Sequence, residues 1–134
     1  MNIKQQLEKE HSKANTNLIA AYIGNDKSRF KELMQLFFDE EYRISQRAAH
    51  AVSYCADRYP GLLTPYVGKM IANLEKNPEV AIRRNTVRLL QNQNVPEEFQ
   101  GLLVEKCFDY LLSAKETIAV KAFSMTILHN LTKV

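Results

Sequence analysis

The chain has 134 residues, 46% apolar and 25% charged, with a formal net charge of +3. That length suits one ordinary domain, and the apolar fraction is that of a globular protein. Its basic and acidic residues, 18 and 15, are mixed along the sequence, which is not the balance of a dedicated nucleic-acid binder. No apolar run approaches the roughly 20 residues needed to span a bilayer. The opening stretch MNIKQQLEKEHSK also lacks the apolar core of a signal peptide. No membrane partner and a cytoplasmic location are therefore expected.

Residues 2 to 22 read as one long helix. Ile3, Leu7, Ala14, Leu18 and Tyr22 form a stripe, while Lys4, Glu8, Lys9 and Lys13 face out. Such a polar element suits the end of a stacked array. Gly24-Asn25 ends it, since both tolerate the left-handed conformation of a helix C-cap. Asp26 or Ser28 can cap the next helix, which carries Phe30, Leu33, Leu36 and Phe37. Asp39-Glu40 turns the chain into a helix from Ile44 to Cys55, and Tyr59-Pro60-Gly61 breaks it. Thr64-Pro65 reads as a cap and first-turn proline for a helix to about Lys76. Asn77-Pro78 turns into a helix carrying Ile82, Thr86, Leu89 and Leu90 on one face. Glu97-Glu98 sits favourably at the start of the sixth helix, and Lys115-Glu116 leads into the last.

Three strings align without a gap at a period of 38: EYRISQRAAHAVSYC, EVAIRRNTVRLLQNQ and TIAVKAFSMTILHNL. Ile44 falls on Ile82 and Val120, Ala48 on Thr86 and Ser124, Ala51 on Leu89 and Ile127, and Val52 on Leu90 and Leu128. In the preceding helices the same period puts Leu36 on Leu74 and Leu112, and Met34 on Ala72 and Tyr110. Two helices per unit at this spacing is the signature of a stacked α-solenoid, in which neighbours bury faces that one pair cannot cover.

The repeat resembles the HEAT/armadillo class. The resemblance rests on the period, the helix–turn–helix unit and an apolar-basic pair entering the second helix: Ile82-Arg83, then Val120-Lys121. The first repeat departs with Ile44-Ser45, and the turns carry no regular Asp ladder, Asp39 being matched by Asn77 and Lys115. The expected fold is all-α: a right-handed α-α superhelix of three HEAT-like helix pairs with an N-terminal capping helix. It is expected to fill residues 1–134 as a single domain, with the cap helix over 1–24 and repeats over about 26–58, 62–94 and 95–132.

No chemistry-bearing motif accompanies the repeat. Cys55 and Cys107 read as buried structural thiols. His11, His50 and His129 lie in three different helices without metal-ligand spacing, and there is no Gly-rich phosphate loop. No catalytic, cofactor or metal residue is assigned, and the chain is not expected to be an enzyme. What remains is a surface. The resemblance implies that the second helices line a concave side. Beside the core stripe they carry Arg43, Arg47, His50 and Tyr54, then Ala81, Asn85, Arg88 and Asn92, then Ala119, Phe123, Thr126 and Asn130.

Arg43, Arg47, His50, Tyr54, Asn85, Arg88 and Phe123 are the candidate partner-binding residues, against the competing reading of an ordinary solvated helix face. Phe123 aligns with Arg47 and Asn85, so it is either exposed for a partner or covered by the chain end. A protein or peptide partner is expected. The alternative is nucleic acid in a basic groove, as in the HEAT-like alkyl-purine DNA glycosylases; against it, the cations run out by the third repeat. An accessory helical piece of a larger enzyme is a further alternative, on fold analogy alone. The last helix carries more apolar side chains, among them Val120, Met125, Ile127, Leu128 and Leu131, than one partner helix covers. Self-association through this C-terminal helix is therefore a further expectation.

Overall fold

The computed structural model describes residues 1–133, and among these it contains eight α-helices and no strand. The chain divides into two compact units, Met1–Leu63 and Thr64–Val134.

The first unit holds α1 (Ile3–Lys9), α2 (Lys13–Ile23), α3 (Lys27–Phe37) and α4 (Tyr42–Arg58). The stretch expected as one helix over 2–22 is two helices, because Glu10 is extended and Ser12 starts a new helix by accepting from Asn15 N at 3.1 Å. Asn15 is buried and closes the corner. Its Nδ2 donates to Gln6 O (2.8 Å) and Glu10 O (2.9 Å), and its Oδ1 accepts from Gln6 Nε2 (2.6 Å). Carbonyls at the end of α1 that would lack partners are thereby satisfied. The corner resets the helical phase. Ile19, Ala20 and Ile23 face the core of α2, while Ala14 and Leu18, expected there, are exposed. Gly24 ends α2 at φ 52°, and Asp26 caps α3 through Arg29 N at 3.0 Å.

The second unit holds α5 (Val67–Leu74), α6 (Val80–Leu90), α7 (Glu97–Leu112) and α8 (Ile118–Leu131). A 3-10 helix, Pro60–Tyr66, occupies the place where α5 was expected to begin, at Thr64. Pro65 has no N–H to give the preceding turn, so an α-helical ladder starts only after it. Asn77, at φ 54°, makes the turn before α6. The core of this unit is Val67, Ile71 and Leu74 from α5, Val87 and Leu90 from α6, Leu103, Cys107 and Tyr110 from α7, and Val120 and Ile127 from α8.

The second helices begin at Tyr42, Val80 and Ile118, which is the 38-residue period of the sequence. Three of the four aligned rungs are buried throughout: Ile44, Ile82 and Val120; Ala48, Thr86 and Ser124; Ala51, Leu89 and Ile127; in the fourth, Val52 and Leu90 are buried and Leu128 is half-buried. Thr86 satisfies its hydroxyl by donating to Ile82 O at 2.7 Å. The first helices do not keep that period. Leu74 is buried, but Leu36 is half-buried and Leu112 is 83% exposed; Met34 and Tyr110 are buried, but Ala72 is exposed. The buried series are Phe30, Val67 and Leu103; Met34, Ile71 and Cys107; Phe37, Leu74 and Tyr110. These run at steps of 37 and then 36. The slippage enters as one more residue in the turn before α6 than in the turn before α4, and as two more helical residues, Leu111 and Leu112, at the end of α7.

Candidate functional site

α4 carries four of the expected binding residues at three- and four-residue steps, and the structure puts them to different uses. Arg43 is exposed, with Nη2 3.3 Å from Glu41 Oε1, a solvated pair that contributes little stability. Arg47 is half-buried and turned inward. Its Nη1 donates to Leu7 O at 2.7 Å and Glu8 O at 3.3 Å, so it caps the last carbonyls of α1. His50 is half-buried beside His11, with ring centroids 4.9 Å apart and planes at 58°. Tyr54 is half-buried on the same helix.

In the second unit Asn85 and Arg88 are half-buried on α6, and Arg88 O accepts from Gln91 Nε2 at 2.9 Å. Phe123 on α8 is half-buried and packs against the core, so its own unit covers part of the ring.

Two features of the second unit were not anticipated. One is a groove of about 620 Å³ where the ends of α6 and α8 meet the loop before α7. Its walls are the amides of Gln91, Asn92, Gln93, Asn94, Gln100 and Asn130, and Leu90, Val95, Ile127 and Leu131 supply apolar surface. The run Gln91-Asn92-Gln93-Asn94 was the signal in the sequence. The other is a cleft of about 450 Å³ near the turns before α6 and α8, where Arg83 pairs with Glu116 and the buried Tyr110 hydroxyl has no hydrogen-bond partner. That pair uses the basic position Arg83 of the second repeat. At the same position the first repeat has Ser45, whose Oγ donates to Tyr42 O at 3.1 Å.

Second helices at a fixed period, with equivalent rungs buried from repeat to repeat, agree with the comparison of sequence families, in which a HEAT repeat domain matches residues 3–134. The chain belongs to the HEAT repeat family. No curated protein and no solved structure matches it.

Both cysteines of this HEAT repeat chain are buried. Burial pushes the Cys55 and Cys107 thiols up to about 11, opposed by Arg58 at Cys55 and by the neighbouring Ser124 at Cys107. Both are therefore thiols at neutral pH, and the thiolate is the nucleophilic form. Among the described residues no helix is long and apolar enough to cross a membrane.

Proposed function

We propose that the chain is a single, non-enzymatic HEAT repeat domain that recognises a protein or peptide partner through side chains of its second helices. What supports this reading most directly is the division of labour on α4, α6 and α8. Their apolar rungs are buried, while Tyr54, Asn85, Arg88 and Phe123 beside those rungs stay half-exposed. Arginine and aromatic side chains concentrate at interface hot spots. Arg47 and His50 enter only as supports, since Arg47 is already committed to α1.

A photo-crosslinking residue at position 85 or 88 tests the reading against the same residue at Lys69 or Glu105, which are exposed on first helices. Adducts from the α6 positions alone are expected, and equal labelling from both sets would overturn the proposal. Nucleic acid is the competing partner. Duplex DNA binding that survives about 200 mM salt and disappears in an Arg43→Ala/Arg88→Ala variant would favour it instead.

A second reading, self-association through the terminal helix pair, is favoured by exposed apolar side chains. Leu112 on α7 is 83% exposed, and Ile118 and Met125 on α8 are 87% and 61% exposed. Val120 and Ile127 are buried and Leu128 and Leu131 half-buried, so only part of the apolar set on α8 is open. Open apolar surface of this kind marks association sites.

A further inference from the structure

We propose that the amide-walled groove at the ends of α6 and α8 seats a short, extended, uncharged stretch of peptide and holds it through its main chain. The proposal rests on the peptide-recognition reading and specifies where and by what chemistry it operates. Three of the amides are oriented by bonds within the protein. Gln91 Nε2 donates to Arg88 O (2.9 Å), Gln100 Nε2 to Val95 O (3.1 Å) and Asn130 Nδ2 to Gln91 O (2.9 Å). With the nitrogen end fixed, each carbonyl oxygen is left as an acceptor. Asn92 and Asn94 are exposed and able to offer N–H groups as well. A peptide strand presents the complementary set, one N–H and one C=O at each residue. Asn92, in the turn just after α6, and Asn130, near the end of α8, are also one repeat apart in the sequence, and both line the groove.

The lining argues against other occupants. Among the described residues it has no aromatic ring on which a base could stack, and Lys133 is the one charged side chain, too little for a phosphate backbone. Among the described residues its lining has no acidic side chain to attract a cationic segment. Half-buried Val95 and Leu131 give the groove apolar surface suited to one aliphatic side chain of the strand. About 620 Å³ falls within the usual size of a ligand cleft, roughly 300–1,000 Å³.

The test is a nuclear magnetic resonance titration of the isotope-labelled full chain, which resolves side-chain amide NH2 signals. The probe is an end-blocked peptide with a central leucine between glycines and serines. A generic sequence suffices, because main-chain bonds do not read side chains. The NH2 signals of Gln91, Gln100 and Asn130 should shift on addition of the peptide. Affinity should fall about tenfold or more when alternate amides of the peptide are N-methylated, or in an Asn92→Ala/Asn94→Ala variant that keeps its unfolding temperature. Shifts confined to Tyr54, Asn85 and Arg88 would overturn the groove and leave the partner-binding face standing. No shift at millimolar peptide would also overturn it, with the crosslinking outcome then deciding the module reading separately. A stronger response of the same amides to single-stranded RNA would overturn it as well.

Discussion

Arg83 grips Glu116 with two parallel bonds, Nε to Oε2 at 3.0 Å and Nη2 to Oε1 at 3.1 Å. The remaining guanidinium nitrogen, Nη1, donates to Pro78 O at 2.6 Å, and Glu116 Oε1 also accepts from Thr117 N at 3.0 Å. One side chain of α6 thus fastens the turn before its own helix to the turn before α8. The side chains are 20% and 6% exposed, so the pair is more sheltered than a surface ion pair. Arg83→Met should cost about 2–3 kcal/mol, below the range for a fully buried pair because the arginine still meets solvent. Glu116→Gln should cost less, about 1–2 kcal/mol, since an acceptor remains. Urea unfolding of both singles and the double variant gives the coupling. A cost below about 0.5 kcal/mol for Arg83→Met would mean the fork is a solvated contact.

The two helix registers separate in another pair of substitutions. Leu89→Ala and Leu74→Ala each remove a buried side chain and should cost about 2–5 kcal/mol. Leu112→Ser should change stability by no more than about 0.5 kcal/mol, although a constant 38-residue period makes Leu112 equivalent to Leu74. Light scattering on the same Leu112→Ser protein, combined with Ile118→Ser, addresses self-association. The wild type should gain mass with concentration and the variant should not. A wild type that stays monomeric when concentrated would remove that reading.

The second helices were legible in the sequence because each carries a stripe whose rungs are set by packing, with no room for an inserted residue. Ile44, Ile82 and Val120 are buried as aligned. The first helices depart from the period by one residue and then two, because the turn before α6 and the end of α7 add length that no local pattern reports. Asp109 under Leu33 and Ile71 was the visible sign of that slip. The corner between α1 and α2 was hidden for another reason. Polar residues hold it, and Asn15 and Ser12 look like solvated helix surface until their bonds to Gln6, Glu10 and the α2 backbone are seen. Arg47 was likewise chosen as a cation on an open face, and α1 folds back to use it. The groove escaped notice because its amides come from a loop and from two helix ends distant in sequence.

Stability should fall on the alkaline side. Burial pushes Cys55 and Cys107 up to about 11 from 9.0 and Tyr110 up to about 12 from 10.0; at Tyr110, Arg83 opposes the rise and Glu116 adds to it. Above the unfolded values the unfolded chain loses protons that the folded chain retains, so rising pH favours unfolding. The stabilisation is complete below about pH 9 and declines through about pH 11 for the thiols, by at most about 1.4 kcal/mol per pH unit for each group. Urea midpoints across that range should show the fall, with a shallower slope in Cys55→Ala/Cys107→Ala. An identical slope in the double variant would mean the thiols are not its source.

Gly68 tests how tightly α5 and α7 are packed. An added Cβ there would lie 2.5 Å from Cε2 and 2.8 Å from Cζ of Phe99, closer than such atoms approach. Phe99 packs against the core of the second unit, which limits how far its ring can retreat. Two effects compete in Gly68→Ala. Helix propensity favours alanine by about 1 kcal/mol, while forcing a packed ring aside costs about 1–3 kcal/mol. The clash should win, leaving Gly68→Ala less stable than the wild type. The sign should reverse in a Phe99→Leu background, where the crowding atoms are gone and the propensity gain remains. Unfolding midpoints of the four proteins decide it. If Gly68→Ala stabilises the wild type, the ring is free to move and the contact does not constrain the helix pair; if it destabilises both backgrounds equally, the obstacle is something other than Phe99.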